Sequence, residues 1–347
     1  MSFSTRLAQR IAPQAPSPRF TAFAWFVVAV ILVVIVWGAL VRATGSGAGC
    51  GSHWPLCNGE IVPPAPALAT FIEFTHRLTS GISLLLVVAL YWMARQRFAA
   101  ASPVRRAALA SLVLIIVEAL IGAGLVIFGL VEDNASAARA VYLALHLVNT
   151  LLLLAAVTLT ADLSSRRDAQ FPLSAASTGL WVVILLVIAS GASGAVAALG
   201  DTLYPAESLR EGIADELSAT APTLLRLRVI HPLIAVAASL AMLSFVRSYL
   251  ERARPRQLRR GAVAPSAEGS RRARWLMVLV FAQLIGGVVN VVLLAPTWMQ
   301  LVHLLMADLV WIALMLFTAT WLVESRQPLQ PARPSARDRR PAPTRAT

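Results

Sequence analysis

The sequence predicts an all-α polytopic membrane protein whose eight transmembrane helices form two pseudo-symmetric four-helix bundles. The 347 residues are 58% hydrophobic and only 14% charged, with a mean hydropathy of +0.71, which is far more apolar than a soluble chain. Eight continuous apolar runs are each long enough to cross a bilayer. A histidine recurs near the start of every second run, and this repetition indicates that the bundle has been duplicated.

The elements follow in order from these runs. The first 19 residues are rich in Arg, Ser and Pro and contain no acid, and the run after them is too long for a signal-peptide core, so we expect an uncleaved first helix. A loop rich in Gly and Pro, residues 44–69, separates it from the second. Because the runs are continuous rather than alternating, membrane-spanning strands are excluded. The predicted helices are approximately 20–41, 71–94, 107–131, 138–161, 178–200, 224–246, 275–295 and 299–323.

Two repeats are predicted from corresponding positions in the two halves. The second histidine pair follows the first by 155 and 157 residues, and Leu120–Ala123 resembles Leu284–Gly287. A two-fold axis along the membrane normal would relate the two bundles. The predicted organisation is a cytoplasmic segment 1–19, an N-terminal bundle 20–161, a cytoplasmic linker 162–177, a C-terminal bundle 178–323 and a disordered cytoplasmic tail 324–347.

The arginines predict the orientation of the chain. All 30 basic residues are arginines, and they account for the net charge of +13. Most lie at the termini and in every second connection, which by the positive-inside bias places both termini in the cytoplasm. The basicity therefore follows membrane topology and does not indicate nucleic-acid binding. Six arginines remain on the outer side: Arg42, Arg77, Arg139, Arg210, Arg226 and Arg228.

The two cysteines lie in one outer loop. Cys50 and Cys57 are seven positions apart within the loop 44–69. The predicted orientation exposes this loop to an oxidising compartment, which favours a disulfide between them.

Four histidines are the candidate ligands. Each lies four to eight residues inside an even-numbered helix that enters from the outer face, at a depth of roughly 6–12 Å. One such histidine would be an ordinary hydrogen-bonded residue, but four at matched depth predict a function. Two imidazoles per bundle are too few for zinc or copper and suit the two axial positions of a heme. The predicted pairs are His76 with His146, and His231 with His303.

Charged neighbours distinguish the two bundles. Glu73 lies three residues before His76, on the same helix face, whereas the place that corresponds to it in the second repeat is occupied by Arg228. Glu73 could relay protons beside a heme, or it could be a rim carboxylate that pairs with Arg77. Arg77, Arg226 and Arg228 could bind heme propionates or extend to the membrane interface.

Other polar residues are weaker candidates. Glu118, Asp308, Asn149 and Asn290 could belong to a proton path, but interhelical hydrogen bonds are the favoured interpretation. His53 is expected to be a loop residue with no catalytic role. Pro232 disfavours a helical conformation at His231, so a helix should begin or kink there.

Three stretches together resemble the heme A synthase family of cytochrome oxidase assembly: Gly38–Gly47, Cys50–Gly59 and Glu73–Arg77. The resemblance extends over the eight helices and the four histidines. It implies that the C8 methyl group of heme O is oxidised to the formyl group of heme A. It further implies a substrate heme between His76 and His146 with Glu73 as functional acid, a heme b between His231 and His303, and a role for the Cys50 and Cys57 pair.

Two other functions remain open at this stage. A di-heme, quinol-linked electron-transfer cytochrome would have two equivalent sites, which the unshared Glu73 disfavours. A heme transporter or chaperone would bind heme without redox turnover. The expected partners are membrane lipid, heme O handed over by a heme O synthase, and a quinol or other electron donor that no motif identifies, with homo-oligomerisation left open. A bacterial inner membrane is favoured over a mitochondrial one.

Overall fold

The computed structural model describes residues 17–166, 170–218, 220–253 and 264–326. Most of the two predicted terminal segments, residues 1–16 and 327–347, lies outside these ranges. Residues 167–169 of the predicted linker also lie outside them. Within the described residues, eight helical segments are long and apolar enough to cross a membrane. The chain is a multi-pass membrane protein.

The first half contains four long helices, and local sequence explains where several of them begin. Pro18 and Pro103 stand in the first turns of their helices, where a missing N–H costs nothing. The hydroxyl of Ser136 accepts a hydrogen bond from the backbone N–H of Arg139 and so caps the fourth helix. The bounds are α1 Pro18–Ala43, α2 Leu68–Arg97, α3 Pro103–Ile127 and α4 Ala137–Ser164.

The second half repeats this arrangement with one interruption. Ser177 caps the first of its helices and Ser266 caps the seventh membrane segment. A short helix in the outer connection, Leu209–Leu217, was not predicted. The sixth segment is broken into two helices just before His231 and Pro232, as that proline predicts. The bounds are α5 Thr178–Leu203, α6 Leu209–Leu217, α7 Thr223–Leu227, α8 Ile230–Leu250, α9 Ala267–Val292 and α10 Thr297–Ser325.

Several helix ends differ from their approximate predicted positions, and two of these differences have a clear local reason. Helix α3 ends at Ile127 rather than at residue 131, because Gly129 adopts a left-handed conformation with φ of 62°. The Leu130 N–H then bonds back to the carbonyl of Leu125 at 2.8 Å, which closes the helix end. Helix α9 begins at Ala267 rather than at residue 275, since Ser266 caps it and its polar first turns continue beyond the apolar run.

The helices pack as two bundles around a shared interface. In the first bundle α1 to α4 form a closed ring, and in the second α5, α8, α9 and α10 pack in succession. The interface consists of α1, α4, α5 and α10. The contact of α4 with α5 corresponds to that of α10 with α1 under the pseudo-two-fold relation. The predicted fold class is therefore confirmed.

Partly buried polar contacts join the bundles at both ends of this interface. On the side of the loop that holds Cys50 and Cys57, one amino group of Arg42 donates to the carbonyl of Ala198 at 2.6 Å, and the other donates to Oε1 of Gln300 at 2.8 Å. At the opposite end, Arg272 of α9 pairs with Asp162 of α4 at 2.5 Å. Two halves with separate histidine pairs thus form one unit.

Candidate functional site

The four histidines occupy equivalent places in the two bundles. Each lies near the beginning of an even-numbered membrane segment and is half-buried. His76 and His146 are close enough to interact electrostatically, and so are His231 and His303. The structure therefore brings together the pairs that the sequence predicts. No third potential ligand joins either pair, since the described residues contain no group of three or more His, Cys, Asp or Glu that could hold a metal ion.

Each imidazole packs against a glycine of the preceding helix. A Cβ at Gly38 would lie 2.9 Å from Cε1 of His76, and one at Gly194 would lie 3.0 Å from Cε1 of His231. Such distances are shorter than van der Waals contact. For the other two histidines, a Cβ at Gly122 would lie 3.8 Å from Cε1 of His146, and one at Gly287 would lie 3.2 Å from Cε1 of His303. Small residues at these helix ends were noted in the sequence, but their pairing with the histidines is evident only in three dimensions.

The rings differ in their polar contacts. Nδ1 of His231 lies 3.1 Å from the carbonyl oxygen of Ser190, and Nε2 of His303 lies 3.3 Å from the amide nitrogen of Gln283. Nδ1 of His146 lies 3.4 Å from Oε1 of Glu118. Nδ1 of His76 is buried with no hydrogen-bond partner among the described residues.

Glu73 connects α2 to the outer loop. Its side chain is only 3% exposed. Oε2 accepts a hydrogen bond from the backbone N–H of Cys50 at 2.7 Å, and Oε1 pairs with the guanidinium of Arg77 at 2.5 Å. Glu73 is therefore the partner of Arg77, as one of the two sequence interpretations predicts. It also lies one helical turn before His76, on the same face of α2.

Arg77 organises the loop that carries the disulfide. Its guanidinium donates to the carbonyls of Leu56 at 2.5 Å and of His53 at 3.1 Å. Cys50 and Cys57 form the predicted disulfide. The His53 backbone, rather than its ring, makes this contact. The loop is thus fixed to α2 at the entrance of the first bundle.

Arg228 binds two carboxylates of the second bundle. It pairs with Asp201 of α5 at 2.9 Å and with Glu216 of α6 at 3.0 Å. Burial raises the pKa of the Glu216 carboxyl above its ordinary value, and the charge of Arg228 opposes this shift. The sequence did not indicate these partners, because α6 itself was not predicted.

The weaker candidates separate in the structure. Asn149 donates from Nδ2 to Oε2 of Glu118 at 2.5 Å, as an interhelical hydrogen bond. Asp308 is 1% exposed, and neither of its carboxyl oxygens has a hydrogen-bond partner among the described residues. Asn290 likewise has an unpartnered side-chain oxygen within that part of the chain.

Comparison with known proteins places these features in context. Residues 21–315 match the family COX15-CtaA, described as cytochrome oxidase assembly protein. A protein of Thermus thermophilus named protoheme IX farnesyltransferase is 44% identical over 311 residues, which are 88% of this chain and 49% of that protein.

Proteins named heme A synthase are similar over shorter stretches. The one from Alkalihalophilus pseudofirmus is 40% identical over 134 residues, covering 39% of this chain and 42% of that protein. The one from Bacillus mycoides is 38% identical over 141 residues, covering 41% and 43%. The chain thus spans about half the length of the curated relatives that it matches.

Proposed function

Because this chain belongs to the COX15-CtaA family of cytochrome oxidase assembly proteins, we propose that it is a heme A synthase, a membrane oxidoreductase that oxidises the C8 methyl group of heme O to the formyl group of heme A. The relatives named heme A synthase support this assignment. The single observation that carries it is the presence of one histidine pair in each bundle, with each ring packed against a glycine and with Glu73 next to the first pair only.

The residues present fit heme. The donor set in each bundle is two imidazoles without a third ligand among the described residues, and such a pair would suit a heme iron, to which the porphyrin would supply the remaining ligands. The glycines let the imidazoles lie directly against the preceding membrane helix, where a Cβ at Gly38 or Gly194 would clash with the ring. In this proposal His76 and His146 hold the substrate heme, and His231 and His303 hold a heme b. The bound heme iron supplies the redox chemistry.

The protein's own groups would orient the substrate and manage protons. Glu73 is buried beside the helix face of His76, and its carboxylate is fixed by Arg77 and the Cys50 N–H. A carboxylate held in this way can accept or donate a proton at a defined place rather than at a range of positions. The disulfide loop covers the same end of the bundle and would restrict the entry of water. The second bundle has no carboxylate at the matching position, so we assign it to electron transfer.

The remaining assignments complete the proposal. Both termini face the cytoplasm of a bacterial inner membrane, and the heme sites lie towards its outer face. Heme O would arrive from the membrane or from a heme O synthase. The relative named protoheme IX farnesyltransferase is about twice as long as the segment that it shares with this chain, and its name describes that whole protein.

Replacing Glu73 tests the proposed role. Glu73→Gln keeps the size of the side chain and removes its charge. We expect heme A formation from supplied heme O to fall by about 10²–10⁴-fold, while both hemes remain bound. Glu60→Gln, an exposed position in the outer loop, is the matched control and should retain activity. Unchanged heme A formation in Glu73→Gln would remove this carboxylate from the mechanism.

Heme extraction tests the function itself. The purified wild-type chain should contain heme b together with heme O or heme A, which chromatography of the extracted hemes distinguishes. A preparation without any of these hemes, after expression with heme O available, would contradict the proposed function.

A further inference from the structure

The two imidazoles of the first bundle have unequal support. Glu118 lies on α3, and its Oε1 is 3.4 Å from Nδ1 of His146. This distance is longer than an aligned hydrogen bond, but Nδ1 has no hydrogen-bond partner among the described residues. The Glu118 carboxylate is thus the acceptor to which an N–H at Nδ1 of His146 can donate. Nε2 is then the nitrogen that is available to bind a metal.

The carboxylate is itself held in place from α4. Asn149 donates to Oε2 at 2.5 Å, and Thr150 donates to Oε1. These two residues follow His146 by three and four positions, so all three side chains project from one helix face. Asn149 also donates to the carbonyl of Leu114 at 2.9 Å, which ties the same face of α4 to α3.

Helix α3 contributes to the same ring twice. Gly122 lies one turn after Glu118 and packs against the His146 ring, since a Cβ at that position would be in van der Waals contact with Cε1 at 3.8 Å. One surface of α3 therefore provides both a packing contact for the imidazole and the carboxylate nearest to its Nδ1.

The other histidines lack this arrangement. Nδ1 of His76 is buried without a hydrogen-bond partner among the described residues. His303 contacts the amide of Gln283, and the resemblance of Leu120–Ala123 to Leu284–Gly287 aligns Glu118 with Ala282. Of the four rings, within the ranges that the structure covers, the contact with a carboxylate is therefore specific to His146.

We infer that Glu118 is a positioning residue that makes His146 the firmly held ligand of the first-bundle heme and leaves His76 as the ligand that can be released. A carboxylate that accepts the outer N–H of a metal-bound imidazole fixes the ring and increases its basicity. The substrate heme would then exchange on the side of His76, the same side of the bundle that carries Glu73. This inference rests on the proposed binding of heme in the first bundle.

A redox titration of the full chain reconstituted with heme b and heme O tests the inference. A more basic imidazole stabilises the oxidised iron, so Glu118→Gln should raise the midpoint potential of the first-bundle heme and leave that of the second unchanged. His303→Ala, which removes a second-bundle ligand, assigns the two signals. The second-bundle heme also reports whether the variant has folded. Glu207→Gln, which removes a carboxylate from the exposed outer connection, should shift neither potential.

Heme retention gives a second readout. His146→Ala should weaken first-bundle heme binding at least tenfold more than His76→Ala does, and His76→Ala should retain a heme with a high-spin spectrum. An unchanged potential in Glu118→Gln, or equal retention in the two histidine variants, would overturn the inference alone. A wild-type chain that takes up no heme in the first bundle would overturn the proposed function and this inference together.

Discussion

A charged side chain below the membrane surface requires a partner, and Arg77 and Arg228 have theirs within the protein. The sequence allowed Arg77 and Arg228 to bind heme propionates or to extend to the interface. The structure pairs Arg77 with Glu73 and loop carbonyls, and Arg228 with Asp201 and Glu216. These pairs determine the shape of the outer rim of each bundle, and contact with a propionate remains a prediction for both arginines.

Arg228→Gln tests the energetic role of such a pair. The change leaves two carboxylates without their cation, and breaking a buried ion pair costs about 3–5 kcal/mol. Because Asp201 and Glu216 are partly exposed, we expect a loss nearer 2 kcal/mol, measured as a lower melting temperature in detergent. Arg247→Gln is the control, since Arg247 is 78% exposed, and it should change stability by less than about 0.5 kcal/mol. Equal effects of the two changes would contradict this account.

At the scale of helices, the repeated unit is a histidine on one helix seated against a glycine of the helix before it. The unit occurs four times, with α1 and α2, α3 and α4, α5 and α8, and α9 and α10. Glycine permits two helices to approach closely enough for a ring to lie between them. The position of each imidazole therefore depends on its neighbour as much as on its own helix.

Alanine substitutions in these glycines should affect one bundle at a time. In Gly38→Ala the new Cβ would lie 2.9 Å from Cε1 of His76, and such overpacking costs about 1–3 kcal/mol. We expect heme binding in the first bundle to weaken about tenfold or more, with the second bundle unaffected. Gly194→Ala should do the reverse.

Gly81→Ala is the matched control for both changes. It lies within α2, and a Cβ there would meet nothing within 4 Å, so alanine should leave heme content unchanged and increase helix propensity. Heme content is measured optically for each variant. Loss from both bundles in Gly38→Ala would indicate general unfolding and would contradict a local effect on His76.

At the scale of the whole molecule, two similar bundles carry unlike surroundings. The interface of α1, α4, α5 and α10 holds them in a fixed relation, and Arg42 and Asp162 join them at opposite ends. The duplicated fold places both histidine pairs on one side of the membrane. Glu73 and Glu118 are present only in the first bundle, which is the asymmetry expected when one site performs chemistry and the other transfers electrons.

Cysteine labelling tests the predicted orientation of the molecule. The native cysteines are joined in a disulfide, so an introduced cysteine would be the reactive thiol. Ile61→Cys, at a position 80% exposed in the outer loop, should react with a membrane-impermeant maleimide in intact cells. Ser174→Cys, exposed in the connection between α4 and α5, should react only after permeabilisation. The opposite pattern would reverse the orientation derived from the arginines.

The sequence by itself determined the fold class, the eight membrane segments and the disulfide, and it singled out four histidines whose binding of heme stays a prediction. Each of these follows from local or periodic signals: apolar length, arginine distribution, turn residues and the spacing of the repeats. The break before Pro232 was predictable for the same reason. Helix ends were not, because a capping serine or a left-handed glycine moves a boundary by several residues without changing hydropathy.

The tertiary structure decided which side chains meet. His146 and Glu118, which are in contact, are 28 positions apart in the sequence. Arg228 is 27 positions from Asp201 and 12 from Glu216. Glu73 is 23 positions from Cys50, from whose backbone N–H it accepts a hydrogen bond. Such contacts depend on the relative rotation and depth of two packed helices, which a single hydropathy pattern does not specify. The histidines were therefore evident from the sequence, whereas the difference in their surroundings required the packed bundles.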